Sequence, residues 1–245
     1  MFNVRHDHDM PDCTRHDARV PETLVAIPGT GSDANYVRRA FGPAAEHLGL
    51  TLVAADPTTD LVEGYRRLLA EVAATRGPLL VGGVSIGAAI ALEWALHHPC
   101  AGVWAALPAW TGDPAAAPAS WSAVATARAL ATDGLEPTIA AMAASSPAWL
   151  AAELSRSWRA LHPGLVDQLR AAAAFRSPGL AEIATLGAPL AITAAVDDPV
   201  HPLDVARGWA AAAPRSALTE VTLAEWGADP AVLGFGCARG WLSLR

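Results

Sequence analysis

Apolar positions along this chain fall into two alternating rhythms. "TLVAIPGTG" is a short, wholly apolar run from Thr23 to Ile27 that breaks on glycines, which predicts a buried strand. Ser32 is placed to cap a helix whose apolar positions Tyr36, Val37, Ala40, Phe41, Ala44 and Leu48 recur every three or four residues, with Gly49 as its stop. "LTLVAADP" predicts the next strand. Leu61, Val62, Tyr65, Leu68, Leu69 and Val72 make one face of the next helix, which runs out at Arg76-Gly77. "PLLVGGV" shows no polar alternation, the mark of a parallel strand covered on both faces. A helix follows to His98, where Pro99 stops it, and then a strand, "AGVWAALPAW". Strict alternation of strand and helix predicts a parallel sheet wrapped by helices.

The rhythm breaks from Thr111 to Leu186. This segment is Ala-rich, is punctuated by Pro and Gly, and reads as several short helices. One carries Leu150, Leu154, Trp158 and Leu161 on a single face; the next carries Leu165, Val166 and Leu169, and His162 is placed at its start. Trp121 and Trp149 lie within the segment and Trp110 at its beginning. Alternation then resumes with the strand "PLAITAAVDD", the helix "LDVARGWAAAA", the strand "ALTEVTL" and a closing helix marked by Leu233, Cys237, Trp241 and Leu244. The expected organisation is a polar leader over residues 1–20, an α/β core over 21–110 and 187–245, and a helical insert over 111–186.

Composition narrows the possibilities. Hydrophobic residues are 52% and charged residues 17% of the 245, so the chain has the makings of a large packed core. Its net charge is −7, and all 17 basic residues are Arg, scattered singly or in pairs with no basic stripe, which argues against a nucleic-acid partner. No apolar run approaches the roughly 20 residues of a membrane span, and the leader lacks the apolar core of a signal peptide, so the expectation is a cytoplasmic protein without a membrane partner. Cys13, Cys100 and Cys237 are odd in number and lack CxxC spacing, which suggests reduced thiols and no zinc site. His6, Asp7, His8, Asp9, Asp12, Cys13, His16 and Asp17 crowd the leader, but their spacing fits no defined metal pattern. No metal and no cofactor are expected. The oligomeric state is open.

One stretch, "GGVSIG", sets Ser85 between Gly83 and Gly87 at a strand-to-helix junction. Flanking glycines let the backbone turn sharply and lift the Ser above the carboxyl edge of the sheet, and the following helix turns its positive end to the site. A tight glycine turn packing helix on strand is the structural alternative. Together with "IPGTGSDA" after the first strand and "AAVDDPVHP" after a late one, the stretch resembles the α/β-hydrolase superfamily over most of residues 22–245. The fold this implies is a mostly parallel central sheet flanked by helices, with the insert in the position of the family's lid.

The resemblance implies roles residue by residue. Ser85 is the nucleophile; the backbone N–H groups of Ile86 and Thr30 form an oxyanion hole; Asp198, four residues before Pro202, orients a histidine. Asp198 also reads as a helix cap ahead of Pro199, and Asp197 is its less well-spaced neighbour. The family's histidine, however, is missing from the loop after the last strand. That loop reads "LAEWGADPAV", Ala228 aligns with the family's histidine, and no histidine follows His201. His97 and His98 lie at the far end of the elbow helix, roughly 18 Å from Ser85. His201 is the leading replacement base, with a helix-start role as its alternative; His47, His162, Glu225 and Asp229 are the others. Two functions stay open. One is a serine hydrolase acting on an ester, thioester or related small acyl substrate with an apolar part, through a Ser85 acyl-enzyme. The other is a ligand-binding pseudoenzyme or non-hydrolytic member of the fold.

Overall fold

The computed structural model describes residues 21–245; the polar leader and its His/Asp cluster lie outside the described residues. Six strands form one sheet: β1 (Thr23–Ile27), β2 (Thr51–Ala54), β3 (Leu80–Val84), β4 (Gly102–Ala106), β5 (Leu190–Ala195) and β6 (Ser216–Val221). Their order is β2-β1-β3-β4-β5-β6, and every neighbouring pair is parallel. The four central strands are buried along their whole length, which is why their sequences run apolar without alternation, whereas the edge strands β2 and β6 are partly open.

Helices cover both faces. On one, α1 (Ala34–His47) packs against α11 (Ala231–Ser243) over Phe41, Trp104 and Trp241. On the other lie α2 (Leu61–Arg76), α3 (Ile86–His97) and α9 (Leu203–Ala212), around Tyr65, Ile90 and Trp209. Asp33, not Ser32, caps α1: its carboxylate accepts the Tyr36 N–H at 3.1 Å. The Asp33 carboxylate is held at that position by the Arg156 guanidinium, whereas the buried Ser32 Oγ makes no hydrogen bond among the described residues.

Between β4 and β5 the chain leaves the sheet for a 3₁₀ turn and five helices: α4 (Pro118–Thr132), α5 (Leu135–Ser145), α6 (Ala148–Leu161), α7 (Leu165–Ala174) and α8 (Leu180–Ile183). The first four share a small core of their own, with Leu130, Ile139, Trp158 and Leu169 at its centre. His162 follows the last residue of α6 and does not start α7. Trp121 is exposed on the outer side of α4 and donates to the Ala115 carbonyl. A further helix, α10 (Leu223–Ala228), occupies what the sequence pattern left as a loop. It forms because Thr222 and Glu225 make a reciprocal capping box, each side chain accepting the other's backbone N–H. None of the helices among the described residues is long and apolar enough to cross a membrane.

Trp209 tests this packing. It is fully buried, and its indole N–H donates to Thr111 Oγ1 at 2.8 Å, tying α9 to the beginning of the insert. Trp209→Ala leaves a large void and is expected to lower unfolding free energy by about 3–5 kcal/mol, read from the midpoint and slope of a urea titration.

Candidate active site

In a parallel sheet all strand ends of one polarity meet at one edge, and ligands gather where the strand order reverses. Here that reversal lies between β1 and β3. The carboxyl end of β3 delivers Ser85, whose φ of 57° and ψ of −118° fall where non-glycine residues rarely sit. The Ser85 N–H donates to the Ala106 carbonyl at 2.9 Å, and its own carbonyl accepts the Ala89 N–H at 3.2 Å. A Cβ on Gly83 or Gly87 would run into the Ile27 carbonyl, so only glycine on both sides lets the turn nest against β1. Such strain costs about 1–3 kcal/mol and persists only where the surroundings enforce it.

The carboxyl end of β1 delivers the Gly29–Ser32 turn, closed by the Ser32 N–H on Gly29 O at 3.1 Å, with Gly31 at a φ of 74°. Gly29 lies so near the elbow that a Cβ on it would stand 3.5 Å from Ser85 Cβ. Among the described residues the Thr30 N–H makes no backbone hydrogen bond in this turn. Ile86, as the first residue of α3, has an N–H without an intrahelical acceptor. Two backbone donors therefore flank the serine from two different strand ends.

The carboxyl end of β5 supplies an acid and a histidine from a single loop. Asp198 Oδ1 accepts the Val200 N–H at 2.8 Å, and Oδ2 lies 2.6 Å from His201 Nδ1. Burial works to raise the Asp198 carboxyl, but the hydrogen bond and charge of His201, with the Val200 and His201 N–H groups, outweigh it and hold it below the usual carboxylate range. An ionised carboxylate only accepts, so Nδ1 is the donor, and in the neutral ring that tautomer leaves Nε2 as the acceptor. Neighbouring Asp197 turns the other way and accepts the Leu223 N–H at the start of α10.

Ser85, Thr30, Asp198 and His201 all line one cavity of about 470 Å³. Its walls are mostly apolar, with Trp110, Trp149, Trp158 and Trp226 among them, and helices α4 to α7 of the insert roof it. Ile86, fully covered, does not line it with its side chain; only its backbone faces the elbow turn. Among the described residues no hydrogen bond joins Ser85 Oγ to His201.

Where the sequence comparison placed the absent histidine, the structure has no opening for one. Ala228 is exposed at the end of α10 and away from the cavity. The cavity-lining residues of that helix are Leu223 and Trp226, and Trp226 donates to the Tyr36 hydroxyl at 2.5 Å and meets Trp149 edge to face at 4.9 Å. Glu225 is exposed and committed to its cap, and Asp229 Oδ1 accepts the Ala231 N–H, so neither faces Ser85. His47 and His162 are exposed and outside the cavity, and His97 closes the far end of α3. The capping signal Thr222-x-x-Glu225 was visible in the sequence and would have revealed α10.

No protein-family model matches the chain, and no curated protein matches it. Solved structures do. Rv0554 from Mycobacterium tuberculosis superposes with a TM-score of 0.68 at 21% identity, over 92% of this chain and 92% of that one. A hydrolase from Pseudomonas aeruginosa gives 0.67 at 19% identity, over 91% and 90%. An alpha/beta hydrolase from Sphaerobacter thermophilus gives 0.61 at 18% identity, over 89% and 92%. Likeness at this level of identity concerns the fold.

The Asp198 carboxylate carries a pH signature. Its value is depressed in the folded chain, so its contribution is in place above the unfolded value near pH 4 and is lost as pH falls through the folded value. Asp198→Asn is expected to be less stable than the parent at pH 6–7, with the gap narrowing below about pH 4. Urea midpoints for both proteins across pH 3–7 check this; a gap that does not vary with pH contradicts it.

Proposed function

We propose that this chain, which has the α/β-hydrolase fold, is a serine hydrolase that cleaves a small ester, thioester or related acyl compound through a Ser85 acyl-enzyme. The observation that carries this reading is the Asp198–His201 pair, held at 2.6 Å and lining the same cavity as the strained Ser85. An acid and a base three residues apart on one loop thus take over the work that the fold ordinarily divides between two loops.

The steps follow from the groups present. His201 Nε2 accepts the Ser85 Oγ proton as Oγ adds to the substrate carbonyl carbon, giving a tetrahedral oxyanion. The Thr30 and Ile86 N–H groups donate to that oxygen, and the positive end of α3 favours its charge. Asp198 holds the imidazole tautomer and stabilises the imidazolium. Collapse breaks the bond to the leaving alcohol or thiol, which takes the proton from His201. Water then adds to the acyl-enzyme with His201 accepting its proton; collapse breaks the bond to Oγ, which takes that proton from His201, and the acid leaves. The tryptophan and aliphatic walls suit an acyl group with an apolar alkyl or aryl part.

One observation favours a second reading, ligand binding without turnover: the structure joins no hydrogen bond from Ser85 to His201 among the described residues. Catalytic hydrogen bonds are often long before substrate arrives and tighten in the complex. The two readings part on reactivity.

The deciding experiment treats the full chain with a fluorophosphonate probe and with p-nitrophenyl acetate, butyrate and octanoate. The parent is expected to label and turn over; Ser85→Ala is expected to lose both, and His201→Ala to lose about 10⁴- to 10⁶-fold in kcat. A parent that neither labels nor turns over sinks the hydrolase reading, and one that binds these esters intact supports the binding protein. Ala228→His is expected to change turnover less than threefold, because position 228 lies off the cavity. A gain of orders of magnitude there would show that His201 is not the base.

A further inference from the structure

The insert does more at this site than cover it. Three consecutive residues of α6 engage the turn that carries Thr30. Ser157, fully buried, donates its hydroxyl to the Gly31 carbonyl at 2.6 Å. The Trp158 indole packs on the Cα of Gly31, where a Cβ would stand 2.7 Å from Nε1. Arg156 places Nη1 and Nη2 on the two carboxylate oxygens of Asp33 at 2.8 and 2.9 Å. Asp33 is also the cap of α1, so the arginine grips the residue at which the turn becomes helix. Glu153, one turn earlier on α6, accepts from Arg156 at 2.6 Å and from Arg39 of α1, which closes a second link between the same two helices.

We propose that Arg156 and Ser157 are positioning residues: they fix the Gly29–Asp33 segment so that the Thr30 N–H points at the substrate carbonyl oxygen. This inference rests on the serine-hydrolase reading. Apart from the packing of Gly29 on the elbow and the Asp56 carboxylate on the Ala34 N–H, the turn has few contacts of its own. Its own closure is one hydrogen bond, from Ser32 to Gly29, and its third residue is a glycine in the left-handed region, which carries the least conformational restraint of any residue. Ser157 anchors the Gly31–Ser32 peptide at its oxygen, and the N–H of that same peptide donates to the Gly29 carbonyl, whose peptide bears the Thr30 N–H, so the anchor reaches the donor through one turn hydrogen bond. A two-pronged guanidinium–carboxylate contact adds direction as well as attraction. Burial works to raise the Asp33 carboxyl, and Arg156 with the Tyr36 N–H more than offsets it, so that Asp33 stays ionised across the neutral range.

Effects of this kind belong in kcat. An oxyanion donor displaced by about 1 Å loses on the order of 100-fold in rate while leaving ground-state binding nearly intact. The test compares Ser157→Ala, Asp33→Asn, Arg156→Gln and the Asp33→Asn/Arg156→Gln double variant with the parent. Asn caps a helix as well as Asp, so Asp33→Asn separates the grip of Arg156 from the cap of α1. The readouts are p-nitrophenyl butyrate kinetics and the second-order rate of fluorophosphonate labelling. Each single variant is expected to lose about 10- to 100-fold in kcat and in labelling rate with KM within threefold, and the double variant to lose no more than the worse single.

Arg159→Gln is the control: it breaks an exposed contact to Glu136 inside the insert without touching the turn, and is expected to match the parent. Parent-like kcat in Ser157→Ala and Arg156→Gln overturns the inference, as does a loss confined to KM or losses that simply add in the double variant. Should Ser157→Ala fail to fold, the Asp33/Arg156 cycle decides alone. An unreactive parent overturns the hydrolase reading and this inference with it; a reactive parent with unimpaired variants overturns this inference only.

Discussion

The site depends on one close approach: the carbonyl of Ile27, at the end of β1, against the glycines on either side of Ser85. A side chain at either glycine would collide with that carbonyl, so the two strand ends meet only because both positions lack a Cβ. The approach has two consequences. It forces the serine into a backbone conformation in which it lines the cavity, and it brings Gly29 into contact range of the serine Cβ. Elbow and donor turn are therefore a single packing unit, and neither could be shifted without the other. The strand order then determines that this unit lies at the reversal of the sheet, where the crossovers leave a cleft.

The acid–histidine pair shows how little chain such a pair requires. Both oxygens of Asp198 are used within three residues, one on the Val200 N–H and one on the His201 ring. The geometry is thus local to one short loop, and the segment after β6 is released from any part in it. That segment became a capped helix whose inward residue, Trp226, builds cavity wall with Trp149 from the insert. In the proposed mechanism the exchange is consistent: a base supplied from the β5 loop frees space that an apolar wall then fills. Asp197 and Asp198, adjacent and chemically identical, take different roles because one faces the start of α10 and the other the imidazole.

Much of this could be read from the sequence, for reasons that are local. Unalternating apolar runs mark buried parallel strands because burial on both faces leaves no polar positions, and the central strands follow that rule. Gly-x-Ser-x-Gly between such a run and a helix predicted the turn because sterics allow few residues there. What stayed hidden was either a competition or a long-range contact. Ser32 and Asp33 are both good caps, and it is Asp33 whose carboxylate the distant Arg156 holds, while Ser32 Oγ makes no hydrogen bond among the described residues. The segment after β6 carries its helix signal in the Thr222-x-x-Glu225 spacing, a capping box that overrides its resemblance to a histidine-bearing loop. The contacts of α6 on the Gly31–Asp33 segment join residues more than 120 positions apart and leave no periodic trace.

Those contacts alter what the insert is. A cover that only excludes water touches the rim of a cavity and can move without disturbing what lies below. Helix α6 instead contributes Trp158 and Leu154 to the cavity and, from the adjacent Arg156 and Ser157, hydrogen bonds to the donor turn. Side chains on successive helical residues project about 100° apart, so one helix reaches both the pocket and the turn without a kink. In the proposed hydrolase, the shape of the acyl pocket and the aim of the oxyanion donor are then set by the same rigid element. A change that enlarges the pocket by displacing α6 would also disturb the turn, whereas one that trims a side chain on α4 or α7 would not. Under the proposed function, substrate range is therefore freest to vary through α4 and α7 and most constrained along α6.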